Sequence, residues 1–109
     1  MKKYYIAGPI RGIPDYKKRF EAVRRVLEAE GCAALDPSLL PEGMEQADYM
    51  RICIAMIQSA DRMILLGGWE NSEGAKIEKA YAEMVGIPVS PLEKYRDTMK
   101  KAGKESGKG

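Results

Sequence analysis

The chain has no histidine, and its 109 residues hold only two cysteines, one tryptophan and one phenylalanine. The missing histidine removes every imidazole-based nucleophile triad, and two cysteines alone cannot build a usual structural zinc site. Any acid–base chemistry falls to Asp, Glu, Tyr, Lys or Cys. Cys32 and Cys53 sit in apolar contexts and read as buried thiols rather than a disulfide. No apolar run approaches the ~18 residues a membrane span needs. Met1-Lys2-Lys3 leads directly into strand-like residues without the apolar core of a signal peptide, so a cytoplasmic protein with no membrane partner is expected. Net charge is small as well, at +2. It is also uneven: residues 96–109 carry +3 and the 95 residues before them −1. The first 95 residues are expected to form a single domain. Residues 96–109 read as a basic, disordered tail, and the body offers no footprint for a nucleic-acid polymer.

What is present is a pattern of short apolar strands alternating with amphipathic helices. Lys3–Ala7 reads as a buried strand broken by Gly8-Pro9, and Pro14 suits the first position of a helix that carries Tyr16, Phe20, Val23 and Leu27. Residues 32–35 form a second strand closed by Asp36-Pro37, followed by a loop over 37–44. Residues 45–60 form a helix with Tyr49, Ile52, Cys53, Met56 and Ile57 on its inner side. Residues 62–66 are the third strand, 74–86 a third helix and 87–89 a fourth strand. Leu92, Tyr95 and Met99 mark a short last helix. Strands alternating with helices imply a parallel sheet with right-handed crossovers. The expectation is a small flavodoxin-like (Rossmann-like) three-layer α/β sandwich with four or five strands in the order 2-1-3-4.

Glu78 stands out within that frame. At ~100° per residue, Lys76, Lys79 and Glu83 gather on one side of the third helix. Ile77, Tyr81, Ala82, Met84 and Val85 fill the other, and Glu78 falls among them. A carboxylate on an apolar face must be paired, protonated or used in chemistry; a structural Glu bonded to a backbone amide or an arginine is the plain alternative. Ligands of open parallel sheets bind at the carboxyl ends of strands where the order reverses, here between strands 1 and 3. The glycine-bearing loops Gly8–Ile13 and Gly67–Ser72 both start there, and each feeds a helix N-terminus that favours an anion. Ser72 can cap the third helix or bind a phosphate oxygen, and Arg11 can add a charge-assisted contact. Neither loop matches a Walker or Rossmann fingerprint.

The run from Tyr4 to Gly12 (Tyr-Tyr-Ile-Ala-Gly-Pro-Ile-Arg-Gly), with Gly68-Trp-Glu-Asn-Ser-Glu-Gly-Ala-Lys-Ile-Glu78, resembles the nucleoside 2-deoxyribosyltransferase-like superfamily. The similarity spans roughly residues 4–90, with a shortened middle. It is closest to a group of short bacterial and phage proteins in that superfamily, and the chain is also similar to the 2′-deoxynucleoside 5′-monophosphate N-hydrolases. The resemblance implies cleavage or transfer of an N-glycosidic bond on a deoxynucleoside or its 5′-monophosphate. It implies Glu78 as nucleophile, Tyr5 as the residue positioning it, and Gly8, Ile10, Arg11, Gly12, Ser72 and Gly74 as the phosphate-binding loops. Trp69 is a candidate to stack on a base or to meet a partner. No metal or other cofactor is implied, and a homodimer or higher homo-oligomer is. Relatives commonly carry an Asp where this chain has Cys53. A thiol cannot replace that acid, which leaves Asp36 as the nearby substitute. The alternative reading is a nucleotide-binding module that has lost catalysis.

Overall fold

The computed structural model describes the backbone of residues 1–107 and the side chains of residues 1–100. Four strands, β1 (Lys3–Ala7), β2 (Ala33–Leu35), β3 (Arg62–Leu65) and β4 (Val89–Pro91), form one sheet in the order β2-β1-β3-β4. All three pairings are parallel, with Tyr5 opposite Leu35 on one side and Met63 on the other. The helices are α1 (Tyr16–Ala29), α2 (Gln46–Gln58), α3 (Glu73–Met84) and α4 (Leu92–Gly107). Single 3-10 turns at Pro37–Leu39 and Trp69–Asn71 follow β2 and β3. This is the flavodoxin-like sandwich that the strand–helix alternation implies.

Alternation along the central strands divides the core in two. Tyr4 and Ile6 of β1 and Ile64 of β3 join Phe20, Val23 and Leu27 of α1 and Tyr95 of α4 on one face. Tyr5, Ala7, Met63 and Leu65 join Cys53 and Ile57 of α2 and Ala82 of α3 on the other. Asp61, just before β3, accepts a 2.8 Å hydrogen bond from the Lys3 amide, which ties the starts of β1 and β3 together.

Three expectations change. Helix α1 starts at Tyr16, with Pro14 two residues ahead of it. Helix α4 continues to Gly107, longer than the short helix expected around Leu92, Tyr95 and Met99, with Tyr95 buried and Met99 packed against the same core. The tail's side chains from residue 101 onward, and residues 108 and 109 altogether, lie outside the described residues. The third correction concerns α3. Ile77, Met84 and Val85, expected against the sheet, are 52%, 84% and 49% exposed. The residues α3 buries are Ala75, Glu78 and Ala82. Two alanines let the helix lie close to the sheet along a narrow line, and the larger apolar residues fall beside that line instead of on it.

Candidate active site

Glu78 is the centre of the site. Its place on the buried line of α3 leaves it 5% exposed, at the edge of a cavity of about 600 Å³. The hydroxyl of Tyr5, from the α2–α3 face of β1, donates a 2.9 Å hydrogen bond to Glu78 Oε2. Burial pushes the carboxyl group of Glu78 up to about 7, and the hydrogen bond from Tyr5 pulls in the opposite direction. The same burial and the neighbouring carboxylate hold the Tyr5 phenol well above its ordinary value, so it stays a donor. The result is a carboxylate poised between charged and neutral near neutrality and oriented by a fixed donor.

The cavity opens at the carboxyl ends of β1 and β3. Gly8, which ends β1, has no room for a side chain, since a Cβ there would stand 2.8 Å from Leu66 Cβ. Gly68 turns the chain after β3 with a φ of 89°, a left-handed conformation that favours glycine. Ser72 then caps α3, its hydroxyl accepting from the Ala75 amide at 3.2 Å, and it also lines the cavity. The two roles weighed for Ser72 are thus compatible, because the cap sits at the cavity wall with Glu73 and Gly74 beside it.

Of the residues singled out from sequence, Gly8, Ile10, Arg11, Ser72, Gly74 and Glu78 line this cavity, and Tyr5 stands behind Glu78. Gly12 and Trp69 are not among the lining residues. Trp69 packs against the α2–α3 core, and the Lys79 ammonium lies 5.1 Å from its ring centre. Asp36 is also elsewhere. One of its oxygens accepts from the Ser38 amide and hydroxyl at 2.9 and 2.6 Å. The other meets Arg24 at 2.6 Å. Both oxygens are committed to closing the turn after β2, so Asp36 is not placed to serve as an acid in the cavity.

Several lining residues were not foreseen. Arg19 reaches the strand ends from α1, donating to the Gly67 carbonyl at 2.8 Å. Tyr49 lines the wall from α2, and burial and the nearby Cys53 and Glu78 hold its phenol protonated far above the usual range. The 37–44 segment contributes Pro37, Leu40, Pro41 and Met44 as an apolar wall. It is fastened to α1 by Glu42, which meets Lys17 at 2.9 Å and accepts from the Tyr16 hydroxyl at 3.2 Å. Arg11 bonds Gln46 across the mouth. One available signal was the spacing of Tyr16 and Arg19, one turn apart at the helix start that follows the first glycine loop. Among the described residues, no three metal-ligating side chains of His, Cys, Asp or Glu type gather into a cluster. No described helix is long and apolar enough to cross a membrane.

A family described as a domain of unknown function, DUF4406, matches residues 2–91. The chain belongs to this family. The DUF4406 match ends where β4 ends, so it takes in all four strands and every lining residue of the cavity. No curated protein matches the chain. Among solved structures, a 2-desoxiribosyltransferase from Leishmania mexicana superposes with a TM-score of 0.70 at 24% identity. The alignment covers 84% of this chain and 63% of that one. This DUF4406 member therefore shares its fold with that 2-desoxiribosyltransferase and spans under two-thirds of its neighbour's length.

Proposed function

We propose that the protein cleaves or transfers the N-glycosidic bond of a 2′-deoxynucleoside or its 5′-monophosphate, with Glu78 as nucleophile. The observation that carries this reading is the Glu78 carboxylate, almost fully buried at a large cavity yet bonded to a phenol rather than neutralised by an arginine or lysine. A purely structural Glu has little reason to remain uncompensated beside open space. In the proposed reaction, a Glu78 oxygen attacks C1′ as the bond from C1′ to the base nitrogen breaks. The electron pair leaves with the base, which takes up a proton. Water or a second base then attacks C1′ and frees the carboxylate. Tyr5 holds the attacking oxygen in line. Ser72, the first turn of α3, the Gly8–Arg11 loop and Arg19 form a positive, amide-rich corner suited to a 5′-phosphate. The apolar wall of Pro37, Leu40, Pro41 and Met44 suits a flat base. We take the working form to be a cytoplasmic homo-oligomer, for which the exposed Ile77, Met84 and Val85 supply an apolar contact surface.

A nucleotide-binding module without turnover is the second reading. It is favoured by Cys53 and by the commitment of Asp36 to Arg24 and Ser38, which together leave the departing base without an evident carboxylic acid. Incubation with a panel of deoxynucleosides and their monophosphates, following free base by chromatography, separates the two. The enzyme reading expects base release that falls by roughly a thousandfold or more in Glu78→Ala, the scale seen when a nucleophile is removed. Tight binding of one compound with no release from any would replace it with the binding module, and absence of both would dismiss both readings.

A further inference from the structure

We propose that Tyr49 is the residue that meets the departing base, its hydroxyl donating a hydrogen bond to that base in place of the carboxylic acid that α2 lacks. The inference rests on the reading of Glu78 as nucleophile and adds the leaving-group side of the reaction. Gln46 and Tyr49 stand one turn apart on α2 and both line the cavity, so the start of that helix faces the space beside Glu78. Cys53, where relatives commonly carry an acid, lies one further turn along the same side and is fully buried in the core. Tyr49 is half-buried and packs on that core, closer to the open end of the helix.

Three tyrosines stand at the cavity, and two have committed hydroxyls. Tyr5 donates to Glu78 at 2.9 Å, and Tyr16 donates to Glu42 at 3.2 Å. The Tyr49 hydroxyl makes no hydrogen bond among the described residues, and no buried side-chain oxygen or nitrogen among them lacks a partner. This hydroxyl is therefore not sealed in the core but opens on the cavity that Tyr49 lines. Other donors nearby are already engaged. The Ser38 hydroxyl donates to Asp36, Arg11 bonds Gln46, and Arg19 donates to the Gly67 carbonyl. Asn71 lines the cavity beside Ser72, in the corner suited to the phosphate. The apolar wall that suits the base offers no side-chain donor of its own, and the segment carrying it leads directly into the first turn of α2, where Tyr49 stands. Burial keeps the phenol protonated, so it donates without giving its proton up. As the bond from C1′ to the base nitrogen breaks, the electron pair stays on the base, and the Tyr49 O–H stabilises the growing negative charge. The base takes its proton from the water whose hydroxide joins C1′, or from the incoming base in a transfer, and Tyr49 ends the cycle unchanged.

The test is Tyr49→Phe, which keeps the ring and its packing and removes only the hydroxyl. Two substrates are compared. One is the 2′-deoxynucleoside or 5′-monophosphate that the wild type binds best; the other is a p-nitrophenyl 2-deoxyriboside with the same 5′ group, whose leaving group departs as a stable anion. On the nucleoside the variant is expected to lose roughly a hundredfold in kcat, the scale of removing one donor to a developing anion. On the nitrophenyl substrate it should stay within about threefold of the wild type. Equal losses on both, or none on the nucleoside, overturn the proposal. Binding is measured in a Glu78→Gln background, where turnover is blocked. There Tyr49→Phe should weaken the nucleoside compound roughly three- to tenfold, the worth of one hydrogen bond. It should leave 2-deoxyribose 5-phosphate, which has no base, unchanged; equal weakening of both would mean a packing role and overturns the proposal too. A wild type that cleaves neither substrate sinks the enzymatic reading and the catalytic role of Tyr49 with it, and the binding comparison then decides alone whether Tyr49 holds the base.

Discussion

In the proposed reaction, Glu78 and Tyr5 set both the chemistry and its cost. A carboxyl group whose value lies near 4.5 in the unfolded chain and about 7 in the folded one binds its proton more tightly when folded. Below about pH 4 both states are protonated and the group contributes nothing. As pH rises through the unfolded and then the folded value, the native state loses stability, by roughly 3 kcal/mol in full. Glu78→Gln should accordingly be more stable than the wild type above pH 7 and lose that advantage near pH 4, as read by denaturant unfolding at several pH values. A wild type that gains relative stability on going from pH 5 to 8 would contradict the burial account. Activity should run the opposite way. The proposed nucleophile must be charged, so base release should climb through a midpoint near about 7 on its acid limb. A flat profile between about pH 6 and 8 would mean that some other step limits the rate. On the proposed reading, activity is highest where the fold is least helped by Glu78.

At the scale of elements, the strands and their order could be read directly, because β1 and β3 are nearly unbroken apolar runs that only a sheet covered on both faces can bury. The loops at their ends followed from the glycines. Two features resisted. The inner face of α3 is narrower than apolar size suggests: Glu78 and Ala82 are buried as expected, with Ala75 beside them, while Ile77, Met84 and Val85 are not. Small residues govern how near a helix can come, and that leaves no strong periodic signal. The second was Asp36, which looks available in sequence but is consumed by Arg24 and Ser38. Its role there is to close the turn that launches the 37–44 segment. Asp36→Ala should therefore cost stability, about 3 kcal/mol as for a buried pair stripped of one partner, as measured by unfolding. At a pH and temperature where the variant stays folded, the rate of the chemical step should hardly change. A large fall in kcat with unchanged stability would restore Asp36 as an acid. Arg19 went unread for a different reason: it lies on a helix whose neighbours satisfy the core pattern, and only the packing shows that its guanidinium reaches Gly67 at the strand end. Tyr49, expected on the inner side of α2, also lines the cavity.

For the whole molecule, the apolar residues left outside α3 bear on assembly. Ile77 and Met84 lie two turns apart on one side of that helix, and Ile52 of α2 is also exposed. Light scattering should find a dimer or larger form, with Ile77→Lys/Met84→Lys shifting it to monomer; a wild-type monomer would remove the homo-oligomer from the proposal. The sheet order has a consequence for how the chain comes into being. β1, the first of these four strands in chain order, is central, and its neighbours are β2, starting at Ala33, and β3, starting at Arg62. Its β3 side stays an open edge until synthesis has passed Leu65, and parallel pairing over such separations forms slowly. During that interval Tyr4-Tyr5-Ile6-Ala7 is an exposed apolar template for other chains. The nascent chain is thus most exposed to aggregation before β3 has cleared the ribosome, and fragments terminated ahead of Arg62 should be the insoluble ones.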